Sequence, residues 1–183
     1  MAGEGENRAT RGAQMTLLGL DLSTRAAAAV AVPLAWDGEW SRVASLVVGE
    51  KLRRDSTDAE RARRTETIAA RLVSFAKQHN ITQAWIEGYA FSRHNSAHTL
   101  GECGGVVRLE LLRAGIELHT ANMGTARKLL LGKVPRSDVK TAVYSALRSA
   151  GARFETLDEA DAFCAANLGL AELGGYCFAQ EAA

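Results

Sequence analysis

The segment MTLLGLDL, residues 15–22, is a compact apolar run that carries an acid, Asp21, close to its end. Such a run is typical of a buried β-strand that presents a carboxylate at the rim of a core. Two more strands are predicted directly after it, at residues 25–35 and 42–52, the second of them rich in valine. Three strands in succession predict a meander.

The hydrophobic pattern then alternates between the periods of helices and strands. The first helix is predicted at 58–78, with Ser56 or Thr57 as its cap, and the last helix at 157–173, with Asp158 as its cap. Between them the pattern predicts strands at 81–87 and 116–121 and helices at 95–113, 125–131 and 137–150. This order predicts an α/β fold, with a mixed five-stranded sheet covered by helices on both faces.

Length and composition limit the organisation of the chain. With 183 residues, 47% of them hydrophobic, it is long enough for one domain with a core. We assign residues 1–14 to a disordered tail, 15–174 to the domain and 175–183 to a C-terminal tail. The N-terminal residues lack the apolar stretch of a secretory signal, and the longest apolar run, 26–36, is too short to span a bilayer. Three cysteines without a disulfide or CxxC spacing fit a reducing cytoplasm, so we expect a cytoplasmic protein without membrane contact.

Charge is distributed unevenly along the chain, although the net charge is only +1. Between Asn122 and Arg153 there are seven basic residues and one acid, whereas residues 154–183 contain six acids and no Lys or Arg. A basic block of this kind is a candidate surface for phosphate groups.

Four acids stand out by their positions. Asp21 and Glu87 each follow a run of buried-type residues at a strand end, where a carboxylate persists only if it is paired, hydrogen-bonded or metal-bound. Asp158 and Asp161 are three residues apart and project from one helical face. Because like charges at that spacing repel, the pair indicates a cation between them.

Such a set of oxygen ligands suits the hydrolysis of a phosphodiester. Two Mg²⁺ ions, with Mn²⁺ as the alternative, would neutralise the charge on the attacking and leaving oxygens. Each acid taken alone has a simpler explanation, as a turn former or a helix cap; the combination of four favours a two-metal site.

The sequence resembles the RuvC-type Holliday-junction resolvases of the RNase H-like superfamily. The resemblance runs from about residue 16 to about residue 173 and rests on five motifs in the family's order. These are GLDLST (19–24), IEGYAF (86–91), NSAHTLGECGGV (95–106), LLLGKVPRSDVK (129–140) and DEADAFCAA (158–166). The chain departs from the family in having Leu22 and Ser23 where a Pro-Gly pair is common, and in a stretch after Glu87 that is one residue shorter.

The resemblance implies an RNase H-like fold and a homodimer that nicks a four-way DNA junction symmetrically. It implies that Asp21, Glu87, Asp158 and Asp161 are catalytic and bind two Mg²⁺ ions. Either Tyr89 or Phe91 matches the aromatic residue that the family stacks on junction bases. The basic residues that fall where the family contacts phosphates are Arg127 and Arg136, with Lys128, Lys133 and Lys140 close by.

The helix predicted at 95–113 contains Gly101, Gly104 and Gly105, each of which costs about 1 kcal/mol relative to alanine. We therefore expect something to approach this helix closely. It is either the sheet of the same chain or, as the resemblance implies, the matching helix of a second copy.

Three other functions remain open. The GLDLST turn also occurs in actin-like ATP-binding kinases, which need two such lobes where this chain supplies one. A junction-binding protein that does not nick would keep the fold, although the presence of all four acids argues against it. An RNase H-like nuclease that acts on other branched DNA or on RNA–DNA hybrids would keep the chemistry and change the substrate.

Overall fold

The computed structural model describes residues 15–23, 26–49, 53, 55–88 and 96–179, without the side chains of 96–100. Its five strands form one sheet in the order β3-β2-β1-β4-β5. Strands β1, β2 and β3 pair antiparallel, whereas β4 runs parallel to both β1 and β5. The predicted meander and mixed sheet are therefore confirmed. The strands are β1 (Thr16–Leu22), β2 (Ala27–Pro33), β3 (Ala44–Val48), β4 (Ile81–Glu87) and β5 (Glu117–Ala121).

Five α-helices lie in the described ranges, each where the hydrophobic pattern predicts one. The first begins at Thr57, whose side chain caps the helix in a capping box with Glu60. This decides between the two caps that the sequence left open. The helices are α1 (Asp58–Gln78), α2 (Ser96–Arg113), α3 (Met123–Leu131), α4 (Val139–Ser149) and α5 (Leu157–Glu172).

The predicted cap of the last helix is wrong. Thr156 caps α5, with its hydroxyl accepting from the backbone N–H of Glu159 at 3.1 Å, and the Glu159 carboxylate accepts from the backbone N–H of Thr156 at 2.9 Å. Ser45 on β3 donates to the same carboxylate at 2.7 Å, which satisfies this buried acid. Asp158 lies inside the first turn of α5, so its carboxylate is not used by the cap.

The helices cover both faces of the sheet. Helices α1 and α2 pack on one face in a core that includes Leu18, Leu20 and Ile86. Helices α3, α4 and α5 pack on the other face in a core that includes Leu17 and Trp85. Because successive residues of a strand point to opposite faces, each strand contributes to both cores. The predicted α/β fold with helices on both faces is confirmed.

Helix α5 is the central helix of the second layer, and every residue from Glu159 to Leu170 is buried. Two glycines allow it to lie directly on the sheet. A Cβ atom on Gly19 would lie 1.9 Å from the carbonyl oxygen of Ala162, and a Cβ on Gly169 would lie 2.5 Å from the Trp85 ring. The close approach brings the first turn of α5 to the end of β1.

Part of the segment that we assigned to a C-terminal tail is attached to the domain. The Asn167 side chain donates to the Phe178 carbonyl at 2.8 Å and accepts from the Phe178 N–H at 2.7 Å. Cys177 and Phe178 pack on the core beside α5. The N-terminal tail, residues 1–14, lies outside the described residues. In the part of the chain that the structure describes, no helix has the length and apolar character that a membrane crossing requires.

Candidate active site

Strand register places two of the predicted acids side by side. Leu20 on β1 pairs with Ile86 on β4, and the two strands run parallel, so Asp21 and Glu87 are neighbours at one edge of the sheet. Gly19 contacts α5 and Trp85 belongs to the core beneath it. Asp21 lies two residues after Gly19, and Glu87 lies two residues after Trp85. Because alternate residues of a strand point to the same face, both acids face the layer formed by α3, α4 and α5.

The acids of α5 meet Asp21 at the side chain of Lys140. The Lys140 Nζ lies 2.8 Å from Asp161 Oδ2, 3.2 Å from Asp21 Oδ2 and 3.3 Å from Asp158 Oδ1. Lys140 is the second residue of α4, which packs beside α5. Three of the four predicted acids thus converge on one ammonium group.

Arg127, on α3, supplies a second positive charge. Its Nε donates to Asp161 Oδ1 at 3.0 Å and its Nη2 donates to Asp161 Oδ2 at 2.8 Å. Two parallel hydrogen bonds of this kind fix the plane of a carboxylate as well as its charge. The Asp161 side chain has no exposed surface, and Arg127 and Lys140 together satisfy its charge.

The environment disfavours negative charge on Asp21, whose side chain is 6% exposed. Burial raises the pKa of Asp21 to about 7; Lys140 acts against this rise, and the charges of Glu87, Asp158 and Asp161 add to it. Burial alone would lower the pKa of Lys140, but the hydrogen bond to Asp161 and the charges of Asp21 and Asp161 raise that pKa above its ordinary value. Lys140 is therefore a permanent cation among these acids.

Glu87 lies at the margin of this cluster. Its backbone carbonyl accepts from Arg108 Nη2 at 3.0 Å, so that α2 anchors the end of β4. Its side chain is half-buried. The charge of Glu87 acts on Asp21 and Arg127, which places the carboxylate within electrostatic range of both.

Within the described ranges, no three Asp, Glu, His or Cys side chains lie close enough together to hold a metal ion as they stand. The ammonium group of Lys140 lies between the acids instead. The donor set nevertheless fits a hard divalent cation, since it consists of carboxylate oxygens that already surround a positive charge.

The predicted phosphate-contacting residues fall into two groups. Arg127 and Lys140 are turned toward the acids. Lys128, Lys133 and Arg136 are exposed, on α3 and on the segment that joins α3 to α4. We call Lys128, Lys133 and Arg136 the exposed basic rim; in the chain they lie between Arg127 and Lys140, the two residues that contact the acids. Tyr89 and Phe91 lie outside the described residues.

Sequence patterns missed the relation between the acids and their two basic partners. The family resemblance placed Arg127 and Lys140, both members of the basic block, among the phosphate contacts. Lys140 is 119 residues from Asp21 in the chain, and Arg127 is 34 residues from Asp161. Only the excess of basic residues beside the acids hinted that some of them neutralise carboxylates.

The outer face of α2 is apolar and has no partner in the described part of the chain. Val106, Leu109 and Leu112 are 38%, 46% and 54% exposed at helical spacing. Added Cβ atoms on Gly101 and Gly105 would meet no described atom within 4 Å, whereas Gly104 is buried. Burial within the chain therefore distinguishes Gly104 from the other two glycines.

The fold is similar to that of solved RuvC structures from Thermus thermophilus. One of them, RuvC in complex with a Holliday junction substrate, has a TM-score of 0.65 and 19% sequence identity, covering 87% of this chain and 96% of that chain. Another RuvC structure has a TM-score of 0.60 and 20% identity, covering 88% of this chain and 98% of that chain. No protein-family model and no curated protein matches the sequence, so the likeness is one of backbone architecture. The chain therefore has the α/β, RNase H-like fold of the RuvC-type resolvases.

Proposed function

We propose that this chain is a structure-specific endonuclease that resolves Holliday junctions by Mg²⁺-dependent phosphodiester hydrolysis, working as a homodimer that makes paired nicks. One observation carries the proposal. Asp21, Asp158 and Asp161 converge within 3.3 Å of a single cationic nitrogen at the end of β1, with Glu87 beside them on β4. Burying several carboxylates side by side costs desolvation free energy, and a purely structural role does not require that cost.

The four acids Asp21, Glu87, Asp158 and Asp161 are the residues that would hold two Mg²⁺ or Mn²⁺ ions. When bound, the ions would supply an activated water and neutralise charge on the attacking and leaving oxygens. Arg127 holds Asp161 in one orientation through its two hydrogen bonds, which prevents the carboxylate from rotating. The half-exposed Asp158 marks the open side of the cluster, from which a scissile phosphate would approach.

The exposed residues Lys128, Lys133 and Arg136 would bind the DNA backbone next to this open side. Contacts with phosphates position a duplex without reading its sequence. We assign the stacking of junction bases to Tyr89 or Phe91, as the family resemblance implies. The proposed substrate is a branched DNA, which the structural likeness to RuvC in complex with a Holliday junction substrate supports.

A second copy of the chain is the proposed partner of α2. Beside the apolar face of α2 is a groove of about 460 Å³ between α1 and α2, lined by Arg64, Glu102 and Val106 among other residues. Arg64 is 5% exposed, and its Nε and Nη2 have no hydrogen-bond partner among the described residues. The two-fold symmetry of such a dimer would match that of a four-way junction.

Cleavage mapping tests the proposal. The protein is incubated with Mg²⁺ and a panel of end-labelled four-way junctions, flaps, forks, RNA–DNA hybrids and linear duplexes. Paired, symmetric nicks on the junction are expected, with little cleavage of the linear duplex. Preferential cutting of flaps or hybrids would keep the nuclease and change the substrate.

One observation favours an alternative, a junction-binding protein that does not nick. Lys140 and Arg127 already neutralise the acids, which is what a purely structural ion-pair cluster would look like. The same panel separates the two functions. Tight junction binding with no cleavage in Mg²⁺ or Mn²⁺ would establish the alternative.

A further inference from the structure

The position of Lys140 between the acids points to a role in cation binding as well as in charge neutralisation. We propose that Lys140 is a mobile internal counter-ion, which holds the carboxylates in the absence of metal, is displaced when a divalent cation binds, and thereby sets the affinity for that cation. The inference rests on the proposed function, since it takes Asp21, Asp158 and Asp161 as the metal ligands.

The geometry makes Lys140 and a metal ion compete for the same oxygens. The three Nζ distances, 2.8, 3.2 and 3.3 Å, are those of one ammonium group shared among three acceptors. An ammonium has three donors and no acceptor, so it matches three carboxylates. A Mg²⁺ ion binds oxygen at about 2.0–2.1 Å, closer than any of these contacts. A cation bound by all three acids would have to lie among these oxygens, which is the position that the Lys140 Nζ occupies, so the ion and the ammonium group compete for one place.

Electrostatics explains why a counter-ion is needed at all. Asp21 and Asp161 are buried, and Asp158 and Glu87 are close by. Without a positive charge at their centre these acids would repel one another in a region with little water. Lys140 removes that repulsion and keeps the acids gathered at one place in the fold.

Lys140 and Arg127 differ in how easily their side chains can be displaced from the acids. The Lys140 side chain is 43% exposed and begins near the start of α4, so its flexible stem can turn to solvent without opening the core. Arg127 is 19% exposed and is joined to Asp161 by two hydrogen bonds. We therefore assign displacement to Lys140 and a fixed positioning role to Arg127.

Calorimetric titration of the DNA-free protein with MnCl₂ and MgCl₂ tests this inference. Wild type is compared with Lys140→Met, which keeps the length of the side chain and removes its charge. Lys77→Met, at an exposed position near the end of α1, is the control. We expect Lys140→Met to bind the cation about tenfold more tightly or better, because no ammonium has to be displaced. Lys77→Met should match wild type.

Thermal unfolding supplies the second measurement. In EDTA, Lys140→Met should melt at a lower temperature than wild type, and saturating Mn²⁺ should raise its melting temperature by more than it raises that of wild type. If Lys140→Met does not fold in EDTA, the neutral Lys140→Gln variant keeps a hydrogen-bond donor toward the acids and is titrated in its place.

The possible outcomes separate this inference from the proposed function. Unchanged or weaker cation affinity in a folded Lys140 variant, with wild type binding Mn²⁺, would overturn the counter-ion role and leave the nuclease proposal standing. If neither cation binds wild type at millimolar concentration, and Asp21→Asn changes nothing, the proposed metal site fails and the inference fails with it.

Discussion

Arg127 donates two hydrogen bonds to the carboxylate of Asp161, from Nε to Oδ1 at 3.0 Å and from Nη2 to Oδ2 at 2.8 Å. The acid is completely buried, and the guanidinium group comes from a different helix. This pair ties α3 to the central helix at the candidate site. It makes Asp161 the most rigidly held of the four acids, because both of its oxygens have fixed partners.

Shortening Arg127 should therefore affect stability as well as function. Arg127→Ala leaves a buried carboxylate with only Lys140 as partner, and we expect it to lower the free energy of unfolding by about 3 kcal/mol. Arg127→Lys keeps the charge but cannot form both hydrogen bonds, so an intermediate loss is expected. Urea unfolding monitored by circular dichroism measures both. Equal stability of Arg127→Ala and wild type would show that the pair contributes nothing to the fold.

The acids themselves should be essential for cleavage. Asp21→Asn and Asp161→Asn should abolish Mg²⁺-dependent nicking of a four-way junction while largely sparing junction binding in EDTA, because the amide is a poor ligand for a hard cation. Asp37→Asn, at an exposed acid remote from the cluster in the fold, is the matched control. Gel assays of cleavage and binding measure the two activities separately. Full activity of both site variants would refute the metal-site assignment.

The exposed basic rim should contribute salt-dependent, sequence-independent affinity. Arg136→Ala should weaken binding to all junction sequences and lower the slope of log affinity against log salt by about 1, as the loss of one phosphate contact requires. Arg71→Ala, on the exposed side of α1, should leave the slope unchanged. Fluorescence anisotropy at several salt concentrations gives these slopes. Weakening confined to one sequence would instead mean that Arg136 reads bases.

The outer face of α2 should mediate dimer formation. Gly105→Leu adds bulk where the described chain leaves open space, and Leu109→Glu puts a charge on the apolar face, so both should give folded monomers. Gln78→Leu, at the end of α1, is the control for a new exposed leucine. Light scattering at micromolar concentration measures the mass. A wild-type protein that is strictly monomeric, both free and on junction DNA, would rule out the dimer.

Gly104 is expected to behave differently from Gly105. Because Gly104 is buried, Gly104→Leu should reduce thermal stability rather than alter the oligomeric state. The two leucine variants together test both explanations for the glycines of this helix. A stable Gly104→Leu monomer would mean that this position also belongs to the dimer contact.

Adding a side-chain carbon to Gly19, where β1 contacts α5, should destabilise the fold. Gly19→Ala would place a Cβ atom 1.9 Å from the Ala162 carbonyl oxygen, and backbone on both sides prevents relief by a side-chain rotation. We expect a loss of at least about 3 kcal/mol, at the upper end of overpacking costs. Gly101→Ala, with no described atom within 4 Å, should change stability by no more than about 1 kcal/mol. Similar denaturation midpoints for the two variants would contradict the close packing.

Much of the fold could be predicted from local patterns. The run TLLGLDL shows a buried strand because its apolar residues leave no polar face, and α1 shows a helix because Ile68, Leu72 and Phe75 recur at its period. Strand ends follow less closely from local patterns: the strand predicted at 42–52 is β3 over Ala44–Val48, and residues 50–52 lie outside the described ranges. The cap of α5 was misassigned because Thr156 and Asp158 are both ordinary caps, and only the position of Glu159 three residues after Thr156 favours the former.

By itself the sequence determined which acids can act together. Asp21 and Glu87 end buried strands, and Asp158 and Asp161 share a helical face, because periodicity within one element decides where a side chain points. Only the tertiary structure decided which charges neutralise them. Lys140 reaches Asp21 across 119 residues and Arg127 reaches Asp161 across 34, and contacts between elements depend on how α3 and α4 pack against α5. That packing results from the shape and burial of a whole core, which no local spacing of residues records.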